Sequence, residues 1–177
     1  GEFPEQLHTA WAAGMRTKLG LGLGVGGGDG FGDSLADEHG ADQGADEVAG
    51  AFLGLLAAQG VDYTSAFRSL SDVLRGDRTS ARALFADGTA FDTWAERWLA
   101  LADPTAADEM DRRNPVYIPR NHLVEEALAA TAADDFGPFE TLLAAVRQPF
   151  TAREGSERFA APAPREFAAC YRTFCGT

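Results

Sequence analysis

Between Asp46 and Pro149 the chain is a succession of short apolar stripes at helical spacing. Most are opened by a capping residue or a proline, and most are closed by glycine or proline. No other feature constrains the fold as much, because a period of three to four residues gathers apolar groups on one face of a helix and scatters them across a strand. Val48, Phe52, Leu55 and Leu56 mark a helix that starts near Asp46 and is stopped by Gly60. Asp62 or Thr64 caps the next, which carries Tyr63, Phe67, Leu70 and Leu74, with Gly76 beyond its end. A short helix is expected around residues 80–86. Thr89 caps another, with Phe91, Trp94, Trp98 and Leu101 along one face. Asp103-Pro104 reads as a stop and a fresh start, with aspartate as cap and proline at the first helical position. Pro115 and Pro119 make residues 112–123 an extended connector, since residues before proline avoid helix. Asn121 then caps a helix through Leu123, Val124, Ala127 and Leu128. Asp134 to Pro138 form a turn, and a helix through Phe139, Leu142, Leu143 and Val146 ends before Pro149. In 150–177 only a helical turn or two around 165–172 is expected.

Two segments stand before this array. Leu7, Trp11, Met15 and Leu19 recur every fourth residue and make one apolar stripe on a helix of about residues 4–19. From Gly20 to Gly50 the chain holds 11 glycines and seven acidic residues and no Lys or Arg. Glycine is costly to order and little here can be buried, so residues 20–45 are expected to form a flexible acidic loop. The expected organisation is a first helix at 1–19, that loop, a helical domain at 46–149 and a tail at 150–177. Alanine occurs 33 times against eight Val and Ile together, which points the same way. The fold class is all-α.

Charge narrows function by exclusion. Fifteen basic against 27 acidic residues leave a net charge of −12, which argues against a nucleic-acid or anionic-membrane surface. No apolar run is long enough to span a membrane, and no charged-then-apolar leader opens the given sequence. Two cysteines, Cys170 and Cys175, are too few for a disulfide scaffold or a four-ligand zinc site of Cys/His type. Lys18 is the sole lysine.

Short motifs mostly dissolve on inspection. Gly22, Gly24 and Gly27 match a dinucleotide fingerprint by letters, but they follow a helix and run into more glycine, where a strand should precede and a helix follow. Asp135-Phe136-Gly137 spells the magnesium-binding triplet of protein kinases without the His-Arg-Asp loop or strand lysine that must accompany it, and reads as a helix–helix turn. The acids from Asp29 to Glu47 fail the calcium-loop register, with Phe31 or Glu38 where a ligand or glycine is needed. His8, His39 and His122 each lack a second histidine at helical spacing, and no G-x-S-x-G elbow is present. Trp94 and Trp98 read as core. Cys175, third from the end, is the one candidate redox or disulfide residue, because chain ends are accessible. Cys170, after Ala168 and Ala169, is expected to lie buried on a short helix and react more slowly.

Several motifs in order carry a resemblance. They are Met15-Arg16-Thr17-Lys18-Leu19-Gly20-Leu21, then Val61-Asp62-Tyr63-Thr64-Ser65-Ala66-Phe67-Arg68-Ser69-Leu70, then the Trp94/Trp98 helix. Asn114-Pro115-Val116-Tyr117-Ile118-Pro119-Arg120-Asn121 follows, then Asp135-Phe136, Gln148-Pro149-Phe150 and the terminal cysteine. Together they resemble the C-terminal part of the SelO (selenoprotein O-like) family. The resemblance implies a pseudokinase that binds ATP and magnesium in a kinase-like core and transfers AMP onto Ser, Thr or Tyr hydroxyls of other proteins. None of that core's catalytic, nucleotide-binding or metal-binding residues maps onto these 177 positions. The redox position maps onto Cys175, although Gly176-Thr177 departs from the Ser-Ser often found there. The implied partners are the missing N-terminal core and the protein substrates of the parent, with no nucleic acid and no membrane. The implied location is the cytoplasm of a bacterium. This segment alone would then be a structural or regulatory support and not an enzyme. The rival reading is a stand-alone helical protein-interaction module, which an upstream kinase-like coding sequence would exclude.

Overall fold

A computed structural model describes residues 2–22 and 35–172. Among them every regular element is helical: α1 Glu2–Lys18, α2 Leu35–Gln59, α3 Tyr63–Leu74, α4 Thr79–Ala83, α5 Gly88–Leu99, α6 Ala107–Arg113, α7 Asn121–Thr131, α8 Gly137–Val146, α9 Glu157–Ala160 and α10 Arg165–Cys170. The chain is all-α, as the apolar spacing requires. It divides into two compact units, Gly1–Asn114 and Pro115–Thr177. The division falls inside the stretch expected as one helical domain, at the Asn114-Pro115 bond, where helix cannot continue.

The first unit is built on aromatic packing. Phe52 of α2 stacks on Trp94 of α5 at 4.1 Å between ring centres and meets Phe67 of α3 edge-on at 5.1 Å. Trp94 and Trp98 stack almost parallel at 5.4 Å. Both indole nitrogens donate to backbone carbonyls, Trp94 to Val48 at 3.0 Å and Trp98 to Leu19 at 2.8 Å. Each ring is thus buried without stranding its polar edge. The chain leaves α1 through Gly20, whose φ of +62° suits glycine. A Cβ there would also come within 2.7 Å of the Met110 sulfur. Gly20 is therefore required twice, by conformation and by the close approach of α6.

Local signals read from the chain hold in several places and give way in others. Asp62 caps α3, its carboxylate accepting from the Ser65 amide at 2.9 Å. Asp87, and not Thr89, caps α5: the helix already begins at Gly88, and the Asp87 carboxylate accepts from both the Thr89 and Ala90 amides. Asp103 closes a turn on Thr105, and α6 begins only at Ala107, so the proline start is displaced by three residues. Asn121 is the first residue of α7, not its cap. The stripe of α1 splits: Met15 and Leu19 are buried, while Leu7 is 61% and Trp11 45% exposed.

Of the segment expected to be a loop, residues 23–34 lie outside the described residues. From Leu35 onward the chain is already helical, eleven residues before Asp46. Once the packed half of α2 around Val48, Phe52 and Leu56 exists, adding a further helical residue is cheap compared with nucleation. Ala36, Ala41 and Ala45 favour that extension over the glycines at 40 and 44.

The second unit is a helical hairpin, α7 and α8, held on a small core of Tyr117, Leu123, Ala127, Leu142, Ala145 and Phe159. Asp134 turns the hairpin with φ +61°, and the Asp135 carboxylate accepts from the Gly137 amide at 2.9 Å. The Val116 and Tyr117 amides both donate to the Pro149 carbonyl, at 2.7 and 3.1 Å. The tail thus returns to the connector. The helix α9 carries Phe159 into this core and was not legible from its four residues alone.

Candidate functional site

Three of the motifs that carry the resemblance meet at one place in the first unit. Asn114 is 1% exposed. Its side-chain nitrogen donates to the Lys18 carbonyl at 2.8 Å, and its side-chain oxygen accepts from the Lys18 ammonium at 3.3 Å. The Arg68 guanidinium donates to the Asp111 carbonyl at 2.8 Å and to the Asn114 carbonyl at 3.2 Å. So Lys18 from the first motif and Arg68 from the second each bind Asn114, which opens the fourth, across α1, α3 and the end of α6. The Asp111 carboxylate completes the cluster, accepting from Ser71 at 2.6 Å and from Arg75 at 2.8 Å. Lys18 also lies 5.8 Å from the ring centres of Tyr63 and Phe67. Partial burial lowers its pKa and raises that of Tyr63, since desolvation disfavours each charged form.

This arrangement joins three helices. A buried amide that both donates and accepts leaves no unpaired polar group and fixes the exit of α6. The three positions were quoted in the sequence as a family likeness. Their mutual contact was not foreseen, because they lie 50 and 46 residues apart. The available signal was polar residues standing beside apolar stripes, Lys18 before Leu19 and Arg68 beside Phe67.

In the second unit, the other half of the Asn114–Asn121 motif is also structural. The Tyr117 hydroxyl accepts from the Arg153 amide at 2.8 Å. Arg120 is buried and donates to the Ala160 carbonyl at 2.9 Å. His122 packs edge-on against Phe167 at 5.9 Å. Its pKa is lowered, chiefly by burial and then by the charge of Arg120, against the opposing pull of Glu126.

The remaining candidates separate cleanly. Cys175 lies outside the described residues. Cys170 sits at the end of α10 and is exposed, contrary to expectation. None of the six residues of this helix is buried; Phe167 packs on His122 and Cys170 is left exposed. Trp94 and Trp98 are core, as read. Phe136 is exposed in the hairpin turn, and the Asp135 carboxylate is engaged by the backbone of that turn. Among the described residues no three or more His, Cys, Asp or Glu side chains gather as metal ligands. Asp135 is thus a turn-forming aspartate. Among the described residues no helix is long and apolar enough to cross a membrane.

A family model described as "Protein adenylyltransferase SelO" matches residues 1–147, and the chain belongs to that family. It is 49% identical, over its whole length, to the protein nucleotidyltransferase YdiU of Mycolicibacterium paratuberculosis. It is 44% identical over its whole length to that of Pseudarthrobacter chlorophenolicus, and 44% identical over 94% of its length to that of Cereibacter sphaeroides. These relatives are bacterial. The chain spans about a third of their length, at 33%, 33% and 31%.

Proposed function

We propose that this chain is the helical support segment of a longer protein adenylyltransferase, whose ATP- and magnesium-binding kinase-like core is supplied by the rest of that polypeptide. One observation carries the reading: Lys18, Arg68 and Asn114, three residues of the likeness, are committed to a part-buried clamp between helices centred on the buried Asn114. The family description and the relatives' names support nucleotidyl transfer to protein, and the resemblance adds Ser, Thr or Tyr as the acceptors. A Ser, Thr or Tyr oxygen of a target protein forms a bond to the α-phosphorus of ATP. The bond from that phosphorus to the oxygen bridging it to the β-phosphorus breaks. Pyrophosphate leaves with the electron pair, and the hydroxyl proton passes to a base of the core. This segment's part is to hold its own helices in register so that the core has a fixed surface to pack against. Cys175 is the residue on which redox control of that packing would rest. The bacterial relatives support a bacterial source, and the location that goes with this reading is the cytoplasm.

The test uses ATP labelled at the α- or the γ-phosphate, added with magnesium to the longer polypeptide and to the 177-residue chain. The expected result is transfer from the α position by the longer polypeptide and no transfer or nucleotide binding by the chain alone. Transfer from the γ position rejects the reading. So does ATP binding by the chain alone that is lost in Asp135→Asn.

A further inference from the structure

The least explained surface lies on the hairpin of the second unit. Leu128 is 57%, Phe136 52% and Phe139 46% exposed. Between α7 and α8 runs a hollow of about 180 Å³ whose wall includes Pro119, Val124, Leu128, Phe139, Leu143 and Val146. Every side chain that lines it is apolar. The neighbouring hollow beside Phe159 is different, since its charged groups, Glu126 and Arg158, already pair at 2.6 Å. The apolar residues recur at helical spacing on both walls, Val124 and Leu128 on α7 and Phe139, Leu143 and Val146 on α8. Two such rows side by side form the groove into which the ridge of a third helix fits. Exposed apolar side chains gathered beside an apolar hollow make this the face of the hairpin best suited to a contact.

We propose that the α7–α8 groove seats the apolar face of an amphipathic helix from the remaining two thirds of the longer polypeptide. The assignment rests on the reading given under Proposed function. The chain covers about a third of its relatives' length, which leaves ample polypeptide to supply that helix. A tethered segment also binds at high effective concentration, so a shallow groove suffices. A second copy is the weaker occupant, because two chains of net charge −12 repel.

The test is made in the longer polypeptide by hydrogen–deuterium exchange, comparing Leu128→Glu and Phe139→Glu with the control Leu84→Glu, an exposed leucine of the first unit. The expected result is faster exchange, by tenfold or more, in peptides 121–146 and in one segment outside these 177 residues, in the two groove variants only. Acceleration confined to 121–146 overturns the proposal. So does a concentration-dependent dimer that both groove variants abolish, which would assign the groove to a second copy. Should either variant unfold, Phe139→Cys with a thiol-to-amine cross-linker gives the same decision. Lys18 is the sole lysine of the 177 residues. A link from position 139 to any other lysine of the same polypeptide supports the groove, and links to Lys18 or to a second copy reject it. A longer polypeptide that transfers AMP yet shows no remote partner rejects the groove assignment alone.

Discussion

Replacing Trp98 separates two contributions that the structure places on one side chain. Trp98 is fully buried, stacks on Trp94 and donates its indole N–H to the Leu19 carbonyl at 2.8 Å. Trp98→Phe keeps most of the ring volume but strands that carbonyl, which should cost about 1–3 kcal/mol. Trp98→Ala strands it as well and opens a cavity, and large-to-small changes of this kind cost roughly 3–5 kcal/mol. At the centres of these ranges the two variants differ by about 2 kcal/mol. Urea unfolding followed by tryptophan fluorescence reads this directly, because Trp11, Trp94 and Trp98 all belong to the first unit. At slopes of about 2 kcal/mol per molar urea, Trp98→Ala should lower the midpoint by roughly 2 M, with the slope unchanged. A cost below about 0.5 kcal/mol for Trp98→Phe would refute the view that the Leu19 carbonyl depends on this bond. A cost below about 1 kcal/mol for Trp98→Ala would place the ring outside the core.

Asn114→Ala should destabilise the first unit by about 2–4 kcal/mol, since it removes a buried donor and acceptor at once. In a double-mutant cycle with Lys18→Ala, whose ammonium donates to the Asn114 side-chain oxygen, the two should couple by at least about 0.5 kcal/mol, and independent effects would dissolve the clamp. Because Cys170 is exposed, an alkylating probe should label it in the native chain at a rate within a few fold of the urea-unfolded chain. Protection by two orders of magnitude would contradict its placement. Burial holds the His122 pKa below its ordinary value, so the folded form binds its proton less tightly than the unfolded one. Its contribution to stability is therefore complete above the unfolded-state pKa and is lost as pH falls toward the folded value. An NMR titration, assigned with His122→Gln, should give a lower midpoint in the folded chain than in urea, and equal midpoints would remove the effect.

What the sequence by itself determined is local. Helical spacing, Asp62 as a cap, Gly60 and Gly76 as stops and the prolines of the connector act through bonds between near neighbours. They specified most helices and the burial of Phe67, Trp94, Trp98 and Leu142. The start of α2 escaped this reading because propagation from a packed half outweighs the glycines that precede it. The candidate site was half legible: its three motifs stood out, but not that Lys18, Arg68 and Asn114 touch. Only the tertiary structure decided that, as it decided that Met15 and Leu19 are buried while Leu7 and Trp11, on the same stripe, are exposed. Periodicity shows that a helix has an apolar face. Which stretch of the face is covered depends on where other helices arrive, here α6 at Gly20 and α5 through the Trp98 bond to Leu19. The same reason leaves Cys170 exposed, since among the described residues no element packs over α10 at that position, and leaves the α7–α8 groove open among them.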